Sequence, residues 1–255
     1  MKYKELIEKM TLEEKASLMS GKDYWKSNDI ERLGISSMFL ADGSHGIRKQ
    51  TKSSDKIGLN KGDPSTCFPT AATISNSWNE ELAERIGEYL GAEAVAQKIN
   101  VLLGPAINMK RNPLCGRNFE YFSEDPYLAG KLAAGYIRGI QSNGISACVK
   151  HFAVNNQEER RMAIDTIIDE RTLREIYLTA FEIAVKEGKT KSLMSSYNKV
   201  NGTYANENMH LMRDILRNEW GFEGCVITDW GGSNDRVEGL IAGNELEMPS
   251  TGGDR

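Results

Sequence analysis

The sequence predicts an α/β fold of the (β/α)8 TIM-like barrel type, with a ring that is allowed to be incomplete or distorted. Short apolar runs alternate with amphipathic stretches along the whole chain, and repeated β-then-α units mean either an open doubly wound sheet or a barrel. The runs lack clean period-two alternation, as expected of strands buried on both faces of a parallel sheet. Polar side chains gather where many of these runs stop, and their spread over several strand ends favours the barrel. A length of 255 residues suits one large domain spanning 1–255.

In chain order the strand-like runs are "ISSMFLAD" ending at Asp42, "FPTAATISNSW" ending at Trp78, "NVLLGPAIN" ending at Asn108 and "ISACVKHF" ending at Phe152. "KSLMSSYN" to Asn198, "GCVITDWG" to Gly231 and "GNELEMP" to Pro249 complete them. Helices lie between. Ser77-x-x-Glu80 reads as a capping box ahead of Leu82, Ile86 and Leu90. Asp125-Pro126 reads as N-cap and first helical position, with Leu128, Leu132 and Tyr136 on one face and Gly144 closing the segment. Residues 172–187 carry Leu173, Ile176, Ala180, Phe181 and Ala184, with Gly188 as the expected left-handed stop, and Gly221 ends the next helix in the same way. The stretch 48–66 reads as a long surface loop.

Composition narrows the function. Hydrophobic residues make up 40% and charged residues 27%, with a net charge of −4, which gives no reason to expect nucleic acid or an anionic membrane as partner. No apolar run is long enough for a bilayer, and the start, "MKYKELIEKMTLEEK", lacks the apolar core of a secretory signal, so a cytoplasmic location is expected. Cys67, Cys115, Cys148 and Cys225 show no C-x-x-C spacing and are expected as free buried thiols. There is no H-x-x-x-H, no G-x-S-x-G, no Walker A loop and no G-x-G-x-x-G. No metal and no cofactor is expected.

The polar strand ends are Asp42, Lys150, His151, Tyr197, Asp229 and Trp230. An aspartate after a strand is more often a turn or cap residue than a catalyst. Several such positions in register point instead to a site at the carboxyl ends of parallel strands. Carboxylates that accept, cations that donate and one flat aromatic suit a sugar, with its many hydroxyls and its CH patches. Lys150 and His151 are neighbours and should face opposite sides of a strand. Either the strand bulges and both reach the site, or one packs behind it.

The segments "ADGSHGIR", "GRNFEYFSEDP", "KHFAVNNQEERR", "MSSYNKVNG" and "VITDWGG" resemble, in order and over Leu12 to Pro249, glycoside hydrolase family 3, most of whose members are β-glucosidases. The resemblance implies a retaining β-glycosidase that removes terminal non-reducing β-D-glucosyl residues from β-glucoside or oligosaccharide substrates through a glycosyl-aspartate intermediate. It makes Asp229 the nucleophile, ionised at neutral pH, and Tyr197 the residue that helps set its charge and aim. Trp230 becomes the aromatic wall on the aglycone side. Asp42 would accept from sugar hydroxyls, Arg48, Arg117, Lys150, His151 and Arg161 would donate to them, and Met194 would line the pocket. A short Asp42 leaves room for a hydroxymethyl group, where a glutamate would favour a pentose.

The resemblance also marks a gap. In the family's glucosidases the acid is a glutamate from a following α/β domain. A branch acting on N-acetylglucosamine linkages instead uses a histidine in "KHFPGHG" with a nearby D-x-H, where this chain reads "KHFAVNNQ". The expectation is therefore a barrel domain without its own acid, completed by a C-terminal family domain or another chain. Glu120, Glu158 and Glu159 are expected to hold arginines or cap helices. Three other readings stay open: a sugar-binding or structural barrel without activity, a β-xylosidase or other family 3 specificity, and a metal-dependent hydrolase built on Asp42, His45, His151 and Asp229.

Overall fold

The computed structural model describes residues 3–50 and 62–251. Residues 51–61 of the surface loop expected over 48–66 lie outside the described residues. The described residues form eight strands: β1 Leu40–Asp42, β2 Val101–Leu103, β3 Ser146–Phe152, β4 Asp165–Thr166, β5 Ser192–Ser195, β6 Lys199–Val200, β7 Thr203–Tyr204 and β8 Cys225–Ile227. Five of them form one parallel sheet in the order β1-β2-β3-β5-β8. The other three make a small sheet, β4-β6-β7, in which β6 and β7 are a hairpin turned by Asn201 and Gly202, both at positive φ.

The described residues form no closed eight-strand barrel. Beyond β8 the sheet continues only as single bridges, Ile227 to Leu246 and Glu247 to Ser20, both parallel. A tight antiparallel turn then pairs Gly21 with Ser27, and Lys26 bridges Phe39, next to β1. The Leu40 amide donates to the Trp25 carbonyl at 2.8 Å. A hairpin-like seam therefore stands where a regular barrel would have further parallel strands. The run ending at Pro249, expected as a strand, contributes to the seam only through these bridges.

Side-chain alternation sorts the core into two clusters. Leu40, Val101, Leu103, Cys148, Met194 and Ile227 meet inside the ring, together with Leu246 and Met248. Ala41, Leu102, Ala147, Val149, Leu193 and Val226 face the helices. Both faces of the parallel sheet are thus buried, which explains the lack of alternation in its strands. Each fully buried Leu, Ile or Val contributes about 1.5–3 kcal/mol.

Several local expectations change. "FPTAATISNSW" contains a helix, Ala71–Ser75, capped by Thr70; its small side chains suit a short helix lying on the sheet. The cap of helix Glu80–Ala96 is Asn79, whose Oδ1 accepts from the Leu82 amide at 2.9 Å, in place of Ser77. That helix buries Ala83, Gly87, Leu90, Gly91 and Ala94, whereas Leu82 is exposed. Glycine decides the face because the partner helix, Pro126–Ser142, passes backbone to backbone: a Cβ on Gly139 would sit 2.0 Å from the Glu84 carbonyl oxygen. Asp125 caps that partner as expected, and Gly144 closes it at φ +86°. Helix 170–186 includes a π-helical stretch, Leu173–Leu178, and begins after Asp169. Its left-handed stop is Lys189 rather than Gly188, while Gly221 takes positive φ as expected. The cysteines are free thiols, but only Cys148 is buried and Cys67 is exposed.

Candidate active site

Strand parity carries the chemistry inward. Leu40, Cys148 and Ile227 point into the ring, so Asp42, Lys150 and Asp229, two positions later, do so too. His151 would then point away. The register of β3 against β5 slips after Val149, and pairing resumes at Phe152 opposite Ser195. Two residues of β3 thus stand against one of β5, and the bulge brings Lys150 and His151 to the same site. Asn108 fixes the bulge: its side-chain amide donates to the His151 carbonyl and accepts from the His151 amide, both at 2.8 Å.

These strand ends open into a cleft of about 530 Å3 lined by Asp42, Arg117, Lys150, His151, Arg161, Met194, Tyr197, Asp229 and Trp230. Nine of the ten predicted site residues are brought together. Arg48 is not among the lining residues; it is exposed, and its amide donates to the Asp42 carbonyl at 2.8 Å. A larger hollow of about 1460 Å3 lies where β5 and β8 begin, at the opposite end of the sheet, and contains none of the predicted residues. Among the described residues no three His, Cys, Asp or Glu side chains converge to hold a metal ion, so Asp42, His45, His151 and Asp229 are not one donor set. His45 instead packs edge-on against Phe119, ring centres 5.7 Å apart.

The sequence reading missed Tyr24, Trp25, Met162 and Pro249, which also line the cleft. Tyr24 and Trp25 come from the seam. The Trp230 indole donates to the Tyr24 carbonyl at 2.8 Å and lies 5.4 Å from the Trp25 ring. The one available signal was an aromatic pair inside the polar stretch "GKDYWKSND".

Asp229 is buried at the end of β8. Its Oδ1 accepts from the Trp230 amide at 2.8 Å, and its Oδ2 has no hydrogen-bond partner. Burial raises its carboxyl above the ordinary range, opposed by Arg117, Lys150, the Trp230 amide and the Tyr197 hydroxyl. The expectation that cations favour the ionised form holds for their sign, but burial outweighs them. Tyr197 donates to the Trp230 carbonyl at 2.8 Å, and Arg161 lies 4.8 Å over its ring. Burial and the Asp229 charge push the Tyr197 phenol upward.

Cations and acids are arranged behind the cleft. Glu120 pairs with Arg117 and accepts from the Ser44 hydroxyl at 3.0 Å. Burial alone would raise Glu120, yet Lys150 and Arg117 hold it below the usual carboxylate range. Glu158 accepts from Arg161 at 2.6 Å. Both acids hold arginines, as expected. Glu159 is exposed. Lys150 lies 3.5 Å from Asp42.

Gly231 and Gly232 shape the turn after Asp229. Gly231 has φ +76°, a conformation that disfavours any side chain. A Cβ on Gly232 would lie 3.0 Å from the Asp229 carbonyl oxygen and 3.1 Å from the Tyr197 ring.

Comparison with known proteins gives one family. The glycosyl hydrolase family 3 N terminal domain matches residues 8–241. The chain is 56% identical over 250 residues to thermostable beta-glucosidase B of Acetivibrio thermocellus, covering 98% of this chain and 33% of that protein. It is 50% identical over 244 residues to an exo-alpha-(1->6)-L-arabinopyranosidase of Bifidobacterium longum, covering 95% of this chain and 32% of that protein. Beta-glucosidase 3B from Thermotoga neapolitana, solved in complex with glucose, superposes with a TM-score of 0.93 at 44% identity over 98% of this chain and 37% of that one. The chain thus spans about a third of the length of the curated relatives it matches.

Proposed function

The chain belongs to glycosyl hydrolase family 3, within the family's N-terminal domain, and on that premise we propose that it is the glycone-binding barrel of a retaining β-glycosidase, a β-glucosidase acting on terminal non-reducing β-D-glucosyl residues. One observation carries the reading: Asp229 is buried at a strand end with Oδ2 unpartnered, in a cleft that also gathers Asp42, Arg117, Lys150 and Trp230.

Retaining hydrolysis needs two carboxyl groups about 5–5.5 Å apart. In this proposal Asp229 Oδ2 attacks the anomeric carbon, the bond to the aglycone oxygen breaks, and that oxygen leaves with a proton from an acid. Water then cleaves the glycosyl ester. Lys150, Arg117 and Arg161 donate to sugar hydroxyls, Asp42 accepts from them, and Trp230 offers its face to the aglycone. Tyr197 steadies the nucleophile through Trp230 and through its own nearness.

The acid is proposed to come from a further domain or chain. Among the residues lining the cleft the carboxylates are Asp42 and Asp229, and Asp42 is engaged by Lys150 at 3.5 Å. The same observation favours a second reading, in which this chain by itself binds sugar but turns over little. Calorimetry with glucose beside a chromogenic assay separates the two. Strong turnover of an unactivated disaccharide by this chain would remove the need for an outside acid.

The nucleophile itself is tested by trapping with a 2-deoxy-2-fluoro glucoside that has a dinitrophenolate leaving group, which needs little acid help. Peptide mass mapping should place the label on the peptide bearing Asp229; a label elsewhere would falsify the assignment. Replacing the glucoside by the matching arabinopyranoside and xyloside in the same assay reads the sugar preference.

A further inference from the structure

Asn206 does not line the cleft, yet its side chain ties together the segments that present Asp229. It sits in the turn Ala205–Glu207 after the β6–β7 hairpin and is buried. Its Nδ2 donates to the Gly232 carbonyl at 2.6 Å and to the Ser196 carbonyl at 3.4 Å. Its Oδ1 accepts from the Ser195 hydroxyl and from Asn244 Nδ2 at 3.1 Å. Both donors and both acceptor positions of the amide are therefore used.

The connections bracket the nucleophile. Gly232 lies three residues after Asp229, and its amide donates to the Asp229 carbonyl at 2.8 Å. On the other flank the Ser195 hydroxyl also faces the Ile227 carbonyl at 3.3 Å, two residues before Asp229. Ser195 and Ser196 immediately precede Tyr197. One buried amide thus sets the spacing between the end of β5, which carries Tyr197, and the turn after β8, which carries Asp229 and Trp230. The Asn206 amide is satisfied at every position, and its loss would strip partners from the Gly232 carbonyl, the Ser195 hydroxyl and Asn244 in a low dielectric.

We propose that Asn206 is a positioning residue that holds the Asp229 carboxylate in line for attack. This rests on the reading of Asp229 as the nucleophile. Asn206 acts only through Gly232 and Ser195, so its loss should change the rate of glycosyl transfer to Asp229 and leave sugar binding by Lys150, Arg117 and Asp42 in place.

The test uses the whole chain and the dinitrophenyl 2-deoxy-2-fluoro glucoside as probe. Asn206→Ala and Asn206→Asp should lower the maximal labelling rate by about 10–100-fold, the scale of a misplacement near 1 Å. The probe concentration for half-maximal rate should stay within about twofold. A purely structural role would lower the melting temperature without changing the labelling rate of the folded protein. An unchanged rate, or a loss confined to the half-saturating concentration, overturns the proposal. If neither variant folds, Ser195→Ala removes the hydroxyl donated to Asn206, together with its contacts to the Ile227 carbonyl and Asn244, and it should slow labelling by about threefold or more; an unchanged rate there overturns the proposal as well. Mapping the label on the unsubstituted chain tests the nucleophile separately, so the two failures are distinct.

Discussion

His151 Nε2 stands 3.7 Å from Asp229 Oδ2, too far for a hydrogen bond, and the two do not form an ion pair. Burial holds the imidazole far below its ordinary range, and the nearby Arg117, Lys150 and Arg161 push it the same way. His151 should stay neutral across pH 5–8, a range in which an unperturbed histidine, with its value of about 6.5, would titrate. Long-range nitrogen–proton NMR of the imidazole reads this, and a titration near 6.5 would contradict it. The sign for stability follows. A lowered histidine favours the neutral form in the fold, so its contribution is complete above the unfolded value and is lost as pH falls below it.

Asp229 has the opposite linkage. Its folded value is raised mainly by burial, so the fold favours the protonated form. The contribution is present below the unfolded value, about 3.9, and is lost as pH rises through the folded one. Asp229→Asn should therefore melt at a higher temperature than the unsubstituted chain at pH 7. The gap should close as the pH is lowered toward 4, and labelling by the fluoro glucoside should vanish at every pH.

Lys150 faces Asp42 at 3.5 Å and lowers both Glu120 and Asp229. Lys150→Met keeps the aliphatic stem and removes the charge. Hydrogen bonds to charged groups are worth about 1.5–3 kcal/mol, so the half-saturating concentration of the fluoro glucoside should rise roughly 10–100-fold. The carboxyl of Asp229 should also titrate higher, shifting the acid limb of the labelling rate to higher pH. A shift to lower pH would show that Lys150 does not act on Asp229 by its charge.

Gly139→Ala decides between two opposed effects. Alanine is the better helix former by about 1 kcal/mol. Against that, the new methyl would meet the Glu84 carbonyl oxygen at 2.0 Å and the Glu88 amide nitrogen at 2.7 Å, both backbone. Overpacking typically costs about 1–3 kcal/mol, and a backbone neighbour cannot swing aside. A lower urea midpoint is expected. A midpoint above that of the unsubstituted chain would show that the two helices separate readily.

Much of the site was legible because strand parity is simple. Asp42, Lys150 and Asp229 each follow a short buried run, and a run buried on both faces fixes which way the next polar residue points. His151 was ambiguous for the same reason, since parity alone sends it outward and only the bulge reverses that. Arg48 pairs with Asp42 at a strand end through its backbone, yet it is exposed and does not line the cleft. The helix pairing was hidden because hydrophobic periodicity picks out Leu82 and Ile86, whereas the contact is made by Gly87, Gly91 and Gly139, which pattern reading scores as neutral. Trp25 was missed because nothing local marks the segment at 20–27 as part of the ring. Its pairing partners, Phe39 and Glu247, lie far along the chain.

That seam has a consequence for the order in which the molecule is assembled. Its Gly21–Glu247 hydrogen bond, at 2.9 Å, joins points nearly the whole chain apart. The closure cannot form during synthesis until the far partner has emerged, and contacts of such long separation are the slowest to be won. Until then β1 and β8 would stand as two open sheet edges, the kind of surface on which strands from other chains pair. The segment at 20–27, with two lysines and two aspartates between Lys22 and Asp29, then lays a charged cover over the β1 edge. The same act that completes the wall beside Trp230 also covers those open edges.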